Sequence, residues 1–321
     1  RTDITSGMII LSMIILPMLT PLYAQEKSEL RGVWVPTLLN IDWPSSSHLS
    51  TREQKQEIIS ILDHHHATGI NAIFLQVRPA GDAFYNSTFE PWSEWLTGSQ
   101  GKEPRPYYDP LKYWIEEAHK RGMELHAWFN PFRAAVHESR HLLSPAHVVR
   151  KYPDWFVNYG GRTYFNPGIP EARQYVHNII MDVVKRYDID GVHFDDYFYP
   201  YKIDDQEFND QHTYLQLGGA FNSLEDWRRN NVSVVIRNLS QALNQEKPAL
   251  RFGISPFGVW LNQEKDQTGT ATRAGHTAFD DLYADVLLWM KNGWIDYLAP
   301  QIYWHIGFEP ADYKDLLDWW S

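Results

Sequence analysis

There is no cysteine among the 321 residues of this chain. That excludes disulfides, thiolate nucleophiles, Cys-ligated zinc and a lipid-bearing N-terminal cysteine. Basic charge is in deficit too: 29 Lys and Arg stand against 40 Asp and Glu, a formal net charge of -11. A chain of that sign lacks a broad basic face for nucleic acid or another polyanion. No G-x-G-x-x-G or P-loop follows a candidate strand, so the usual nucleotide-cradling loops are missing. The histidines form no metal motif. H-E-x-x-H is absent, and His64, His65 and His66 occupy successive helical positions that fan out around the axis and cannot share an ion. No cofactor is expected. Long apolar runs are scarce. The run at 8–16 is too short to span a bilayer, is broken by Pro17, and precedes a small-residue cleavage signature, Leu22-Tyr23-Ala24. Residues 1–24 read as a signal peptide and 25–321 as one domain. The mature protein is expected to be exported, to a periplasm or beyond, with no stable membrane insertion after cleavage.

What the chain does have is aromatic side chains: Trp 14, Tyr 18 and Phe 15. Many must be core, and enough remain to line a ligand groove. Short β-branched and aromatic runs at 31–37, 71–79, 123–131, 191–200, 251–258 and 297–304 alternate with amphipathic stretches. Ser50 and Glu53 have capping-box spacing, and Asp109-Pro110 opens another helix. Further helices fit 171–187, 224–244 and 280–292. Strands alternating with helices predict an α/β fold with a parallel sheet. Polar and aromatic residues crowd the strand ends, at Arg78, Asn130, Arg133, Asp195, Asp196, Trp260, Tyr303 and His305. That placement favours a (β/α)8 TIM barrel over an open sheet. Six strands are legible, so the barrel is expected to be C-terminally truncated in this sequence, with exposed strand edges.

The stretch "GVHFDDYFYPY" at 191–201 concentrates the chemistry. Strand alternation points His193, Asp195 and Tyr197 at the barrel axis and Val192 and Phe194 at the helices, leaving Asp196 at the rim. Carboxylates in an aromatic groove suggest glycoside hydrolysis, which needs a nucleophile or water activator and a proton donor. Asp195 is the first candidate. Asp196, Glu264 and Asp82 are candidates for the second carboxyl, and the sequence leaves retention or inversion open. Arg78 and Arg133 would hold a carboxylate or an acidic substituent of the substrate, or form structural ion pairs. Asn130 and Gln301 suit sugar hydroxyls. Trp128, Trp260 and Trp304 are candidate sugar platforms, with Tyr85, Tyr197, Tyr199, Tyr303 and His305 around them. His126 and His193 are candidate substrate-binding pocket residues, or hydrogen-bonded core, rather than metal ligands. A glycan-binding barrel without catalysis is the alternative, and metal-dependent hydrolysis a weaker third.

"ELRGVWV", "FLQVRPAGDAFY", "HAWFNPFR", "GVHFDDYFYPY", "FGISPFGVW" and "GWIDYLAPQIYW", in this order from residue 29 onward, resemble the glycosyl-hydrolase-like family 10. The resemblance implies a barrel-type glycosidase of the bacterial envelope, with peptidoglycan glycan strands stripped of stem peptides as the polysaccharide substrate. It also places Asp195 where the distantly similar α-amylase-like barrels carry a nucleophile, at the end of strand four. Many members of the family are lipoproteins, which a chain without cysteine does not match.

Overall fold

The computed structural model describes residues 29–321, so the expected signal peptide lies outside the described residues. Nine strands occur among them: β1 (Gly32–Val35), β2 (Ala72–Arg78), β3 (Glu124–Phe129), β4 (Arg133–Ala135), β5 (Phe156–Tyr159), β6 (Arg162–Phe165), β7 (Gly191–Phe194), β8 (Arg251–Ile254) and β9 (Tyr297–Leu298). Six make one sheet, in the order β1-β2-β3-β7-β8-β9, every pair parallel. Helices Thr51–Ala67, Pro110–His119, Pro170–Arg186, Leu224–Glu246 and Val286–Lys291 return the chain between successive strands of this sheet. Among the described residues, no helix is long and apolar enough to cross a membrane.

Local chemistry sets the helix starts. The Ser50 side chain accepts from the Glu53 backbone N–H while the Glu53 carboxylate accepts from Ser50 N at 2.8 Å, a reciprocal capping box. Asp109 caps Pro110–His119 with Pro at the first turn. The last expected helix, 280–292, is corrected: it begins only at Val286, where Asp285 accepts from Leu288 N, because Tyr283 at φ 55 breaks any helix running through it.

The parallel sheet is rolled. Strands in a flat sheet lie about 4.8 Å apart, so β2 and β9, four intervals apart, would be separated by about 19 Å. The rings of Phe74 on β2 and Tyr297 on β9 instead approach to 6.2 Å between centroids. The Trp34 indole on β1 likewise reaches His193 on β7 at 3.2 Å. This is the curvature of a barrel wall, with β1 and β9 as its two edges. Inward glycines make the roll possible. A Cβ on Gly253 would lie 1.8 Å from Tyr297, one on Gly191 2.3 Å from His126, and one on Gly32 2.2 Å from Phe74. Small residues facing large ones in this way fill a barrel interior in layers. Val192 and Phe194 face outward and are fully buried under the helices, which fixes the register of β7.

A second, antiparallel sheet, in the order β4-β6-β5, is inserted between β3 and β7 and was not expected from the sequence. Its hairpin turns at Gly160 and Gly161, both at positive φ, the Gly-Gly signal of a tight two-residue turn. Its first residue is Arg133, which the sheet holds at the mouth of the barrel.

Candidate active site

Regular strand geometry in β7 stops at Phe194, and the next two residues are the acids. Asp195 continues the inward register of His193. Its Oδ2 accepts from Asn130 Nδ2, and its Oδ1 accepts from the Tyr197 backbone N–H at 3.2 Å. Asp196, expected at the rim, is corrected. With the strand ended, alternation no longer turns it away, and it is 2% exposed against 7% for Asp195. Its Oδ2 meets the Tyr201 hydroxyl, and its Oδ1 accepts from Gln301 Nε2 at 3.0 Å. Gln301 also donates to the Ser255 carbonyl at 2.9 Å, which ties β8 and the segment after β9 to the acids.

Arg133 supplies the positive charge that acts on both carboxyls. Its guanidinium lies 4.8 Å from the Tyr197 ring centre, Nη1 donates to the Pro79 carbonyl at 3.1 Å, and Nε is buried without a partner among the described residues. Burial overrides this attraction. Desolvation, then the adjacent charge of Asp196, pushes Asp195 up to about 7 against the help of Arg133, Asn130 and the Tyr197 N–H. Asp196 is raised as well, chiefly by burial, against its hydrogen bonds from Tyr201 and Gln301. Two buried acids so placed titrate as a coupled pair, and burial favours keeping a proton on them. At the open side stands Tyr303, 81% exposed, whose phenol is raised by partial burial and by the charges of Asp196 and Asp195.

Below the acids the barrel holds a directed chain of polar contacts. Trp34 Nε1 donates to His193 Nε2, leaving the proton of a neutral imidazole on Nδ1, 3.0 Å from the Tyr297 hydroxyl. That hydroxyl can then donate to His126 Nδ1 at 2.8 Å, and His126 Nε2 faces Glu124 at 3.2 Å. Burial depresses both rings, His126 to about 4 and His193 well below its ordinary value. The expectation that they bind substrate is corrected: both are fully buried, neutral interior residues beneath the site. Among the described residues, no group of three or more His, Asp or Glu side chains gathers as for a metal ion.

Several residues expected at the substrate are elsewhere. Arg78 is corrected: its guanidinium is consumed by a buried bidentate pair with Glu90 at 2.8 and 2.7 Å and by the carbonyls of Asn130 and Pro131. Tyr85 is fully buried with its ring edge-on to Tyr187, and Tyr199 is fully buried among Phe208, Tyr283 and Arg228, so neither can meet a ligand. Trp260 is buried and stacks on Trp319, which makes it core. Glu264 sits exposed in the loop after β8, and none of its contacts joins it to the acids. Asp82 is buried, accepts from Gln100 at 3.2 Å, and is raised to about 7, mainly by burial, with no contact to the pair. His305 is exposed beside Phe308, and Trp304 packs edge-on to Phe257. Trp128 is half-buried, in register with His193 on β7. The structure therefore brings together Asn130, Arg133, Asp195, Asp196, Tyr197 and Gln301, with Tyr303 in front. Sequence reasoning missed Tyr201, Ser255 and Gln76. Tyr201 lay inside the quoted stretch, and the other two follow from counting inward by twos from Gly253 and Phe74.

The model of a family described as glycosyl hydrolase-like 10 matches residues 29–321. Glycosyl hydrolase YngK of Bacillus subtilis strain 168 is 54% identical over 300 residues, which cover 93% of this chain and 58% of that protein. Glycosyl hydrolase DigH of Escherichia coli strain K12 is 43% identical over 318 residues, covering 94% of this chain and 72% of its own length. The chain thus spans little more than half of the Bacillus relative. Among solved structures, alpha-L-fucosidase isoenzyme 2 from Paenibacillus thiaminolyticus matches with a TM-score of 0.45 at 17% identity, over 74% of this chain and 34% of that one. The alpha-galactosidase from Lactobacillus brevis matches with a TM-score of 0.43 at 13% identity, over 70% of this chain and 26% of its own.

Proposed function

Because the chain belongs to the glycosyl hydrolase-like 10 family, we propose that it is a glycoside hydrolase that cleaves a bacterial envelope polysaccharide, with the Asp195–Asp196 pair as its catalytic carboxyls. The observation that carries this reading is the pair itself: two buried acids side by side at the C-terminal end of a parallel barrel strand, where barrel enzymes assemble their sites. Glycosidic cleavage asks one carboxyl to be an anion and another to deliver a proton. The donor sets distinguish the two. Both oxygens of Asp195 meet N–H groups, which only donate and favour the anion, whereas Asp196 Oδ2 meets a tyrosine hydroxyl that can also accept. Asp195 is accordingly the nucleophile or water activator, and Asp196 carries the shared proton toward the leaving oxygen. Peptidoglycan glycan strands freed of stem peptides are the proposed substrate, met after export to the periplasm or the cell exterior.

Replacing Asp195 by Asn is expected to abolish release of reducing ends from such strands while leaving the circular dichroism spectrum and cooperative melting intact. Turnover at the wild-type rate in that variant contradicts the assignment. A glycan-binding barrel without catalysis is the second reading, favoured by the exposed position of Glu264 away from the pair. It predicts strand binding by the wild-type chain with no cleavage.

A further inference from the structure

Behind Asn130 stands Gln76, a buried residue on an inward position of β2. Its Oε1 accepts from the backbone N–H groups of Thr37 at 2.9 Å and Leu38 at 3.0 Å. These donors are held in place. Thr37 Oγ1 donates to the Gln76 carbonyl at 2.8 Å, and Asn40 Nδ2 donates to the carbonyls of Pro44 and Trp95 at 2.7 and 2.8 Å. The side chains of glutamine and asparagine are ambiguous as to which end is oxygen, but a backbone N–H cannot accept a hydrogen bond. The oxygen of Gln76 must therefore face the loop, and its Nε2 must face Asn130 Oδ1, at 2.6 Å. With that oxygen occupied, Asn130 can present only its amino group to Asp195 Oδ2. Every member of the chain from the loop after β1 to the carboxylate is thus oriented by the member before it.

We propose that Gln76 is a positioning residue for Asp195: by holding the oxygen of Asn130 it keeps the amino group of Asn130 on the carboxylate, and so favours the ionised form. The proposal rests on Asp195 as the catalytic carboxylate but concerns a property measurable without substrate. The other charged or titratable groups facing Asp195 are Asp196, Arg133, Tyr197, Tyr201 and Tyr303. Gln76 is uncharged and does not touch Asp195, so a neutral substitution there leaves all of them in place. In Gln76→Met the oxygen of Asn130 loses its donor, the side chain becomes free to turn, and donation to Asp195 weakens.

The test is a carbon-13 NMR titration of aspartate carboxyls in the full chain, with the Asp195 signal assigned by its loss in Asp195→Asn. The midpoint is expected to rise by roughly 1 pH unit in Gln76→Met. Gln76→Met is expected to add nothing in an Asn130→Leu background, because Gln76 acts through Asn130. In the wild-type chain, which needs no variant to fold, the side-chain NH2 signals of Asn130 are expected to titrate in step with the Asp195 carboxyl. An unchanged midpoint in folded Gln76→Met, a full shift persisting without Asn130, or Asn130 signals indifferent to Asp195 each overturns the proposal. If the titration behaves as expected while the chain cleaves no glycan, the relay stands and the hydrolase reading falls. The pH profile of kcat is expected to follow the same displacement, with KM little altered.

Discussion

Asp195 and Asp196 show how a strand that stops changes what its residues can do. The inward direction of Asp195 was legible from the sequence, because Val192 and Phe194 mark the opposite face as apolar. The inward turn of Asp196 was not, since alternation holds only while the strand continues and β7 ends at Phe194. The corrections at Arg78, Tyr85 and Tyr199 share another cause. A strand-end position says that a side chain is near the mouth, but only its partners say whether it is available: Glu90 takes Arg78, Tyr187 meets the ring of Tyr85, and Arg228 lies over that of Tyr199. Burying the pair has a consequence for stability. The folded-state value of Asp195, about 7, lies above its ordinary carboxyl value of 3.8. Because the two acids are coupled, the folded pair holds a proton that the unfolded chain has released, and the stability associated with it is present below pH 4 and lost as pH rises through 7. Asp195→Asn is expected to stabilise the chain at pH 8 by on the order of 2 kcal/mol and to leave it nearly unchanged at pH 4. Denaturant midpoints at the two pH values measure this, and destabilisation at pH 8 would count against the buried charge.

At the scale of elements, five helices and six strands were largely readable because capping boxes, N-terminal Pro and β-branched runs are local signals. The inserted hairpin was not read, although Gly160-Gly161 announces it, because strands of three or four residues carry little periodicity beside longer parallel ones. The inward glycines of the parallel strands are equally silent in sequence. Their role appears only when the sheet rolls and rings from distant strands need their space. Gly253 is the clearest case, with Tyr297 1.8 Å from where a Cβ would sit. Gly253→Ala is expected to cost about 3 kcal/mol by displacing that ring and its hydrogen bonds to His126 and His193. Gly219→Ala, where none of the described residues lies within 4 Å of the added carbon, is expected to be near neutral. Thermal melts of the two variants provide the comparison, and equal melting temperatures would refute the packing argument.

For the molecule as a whole, the interior layer of neutral histidines opposes the acids in its response to pH. His126 has a folded-state value of about 4, below its ordinary 6.5, because burial disfavours the cation. Its contribution is present above pH 6.5 and lost as pH falls through 6.5 toward 4, as the unfolded chain gains a proton that the folded one refuses. The difference in stability between the wild-type chain and His126→Gln is therefore expected to shrink by on the order of 2 kcal/mol between pH 7.5 and pH 5. A constant difference would show that the ring is not held neutral. The rolled parallel sheet was legible as a barrel from the order of its elements, and its edges at β1 and β9 accord with the six strands counted in the sequence. The proposed substrate rests on the family resemblance alone, because acids and aromatic rings at the ends of barrel strands suit many glycans. The most direct measurement is mass spectrometry of purified peptide-free peptidoglycan strands after incubation with the wild-type chain and with Asp195→Asn. Shorter fragments with new reducing ends from the wild-type chain, and intact strands from the variant, are the predicted result; intact strands from both, or equal fragmentation by both, would contradict the account.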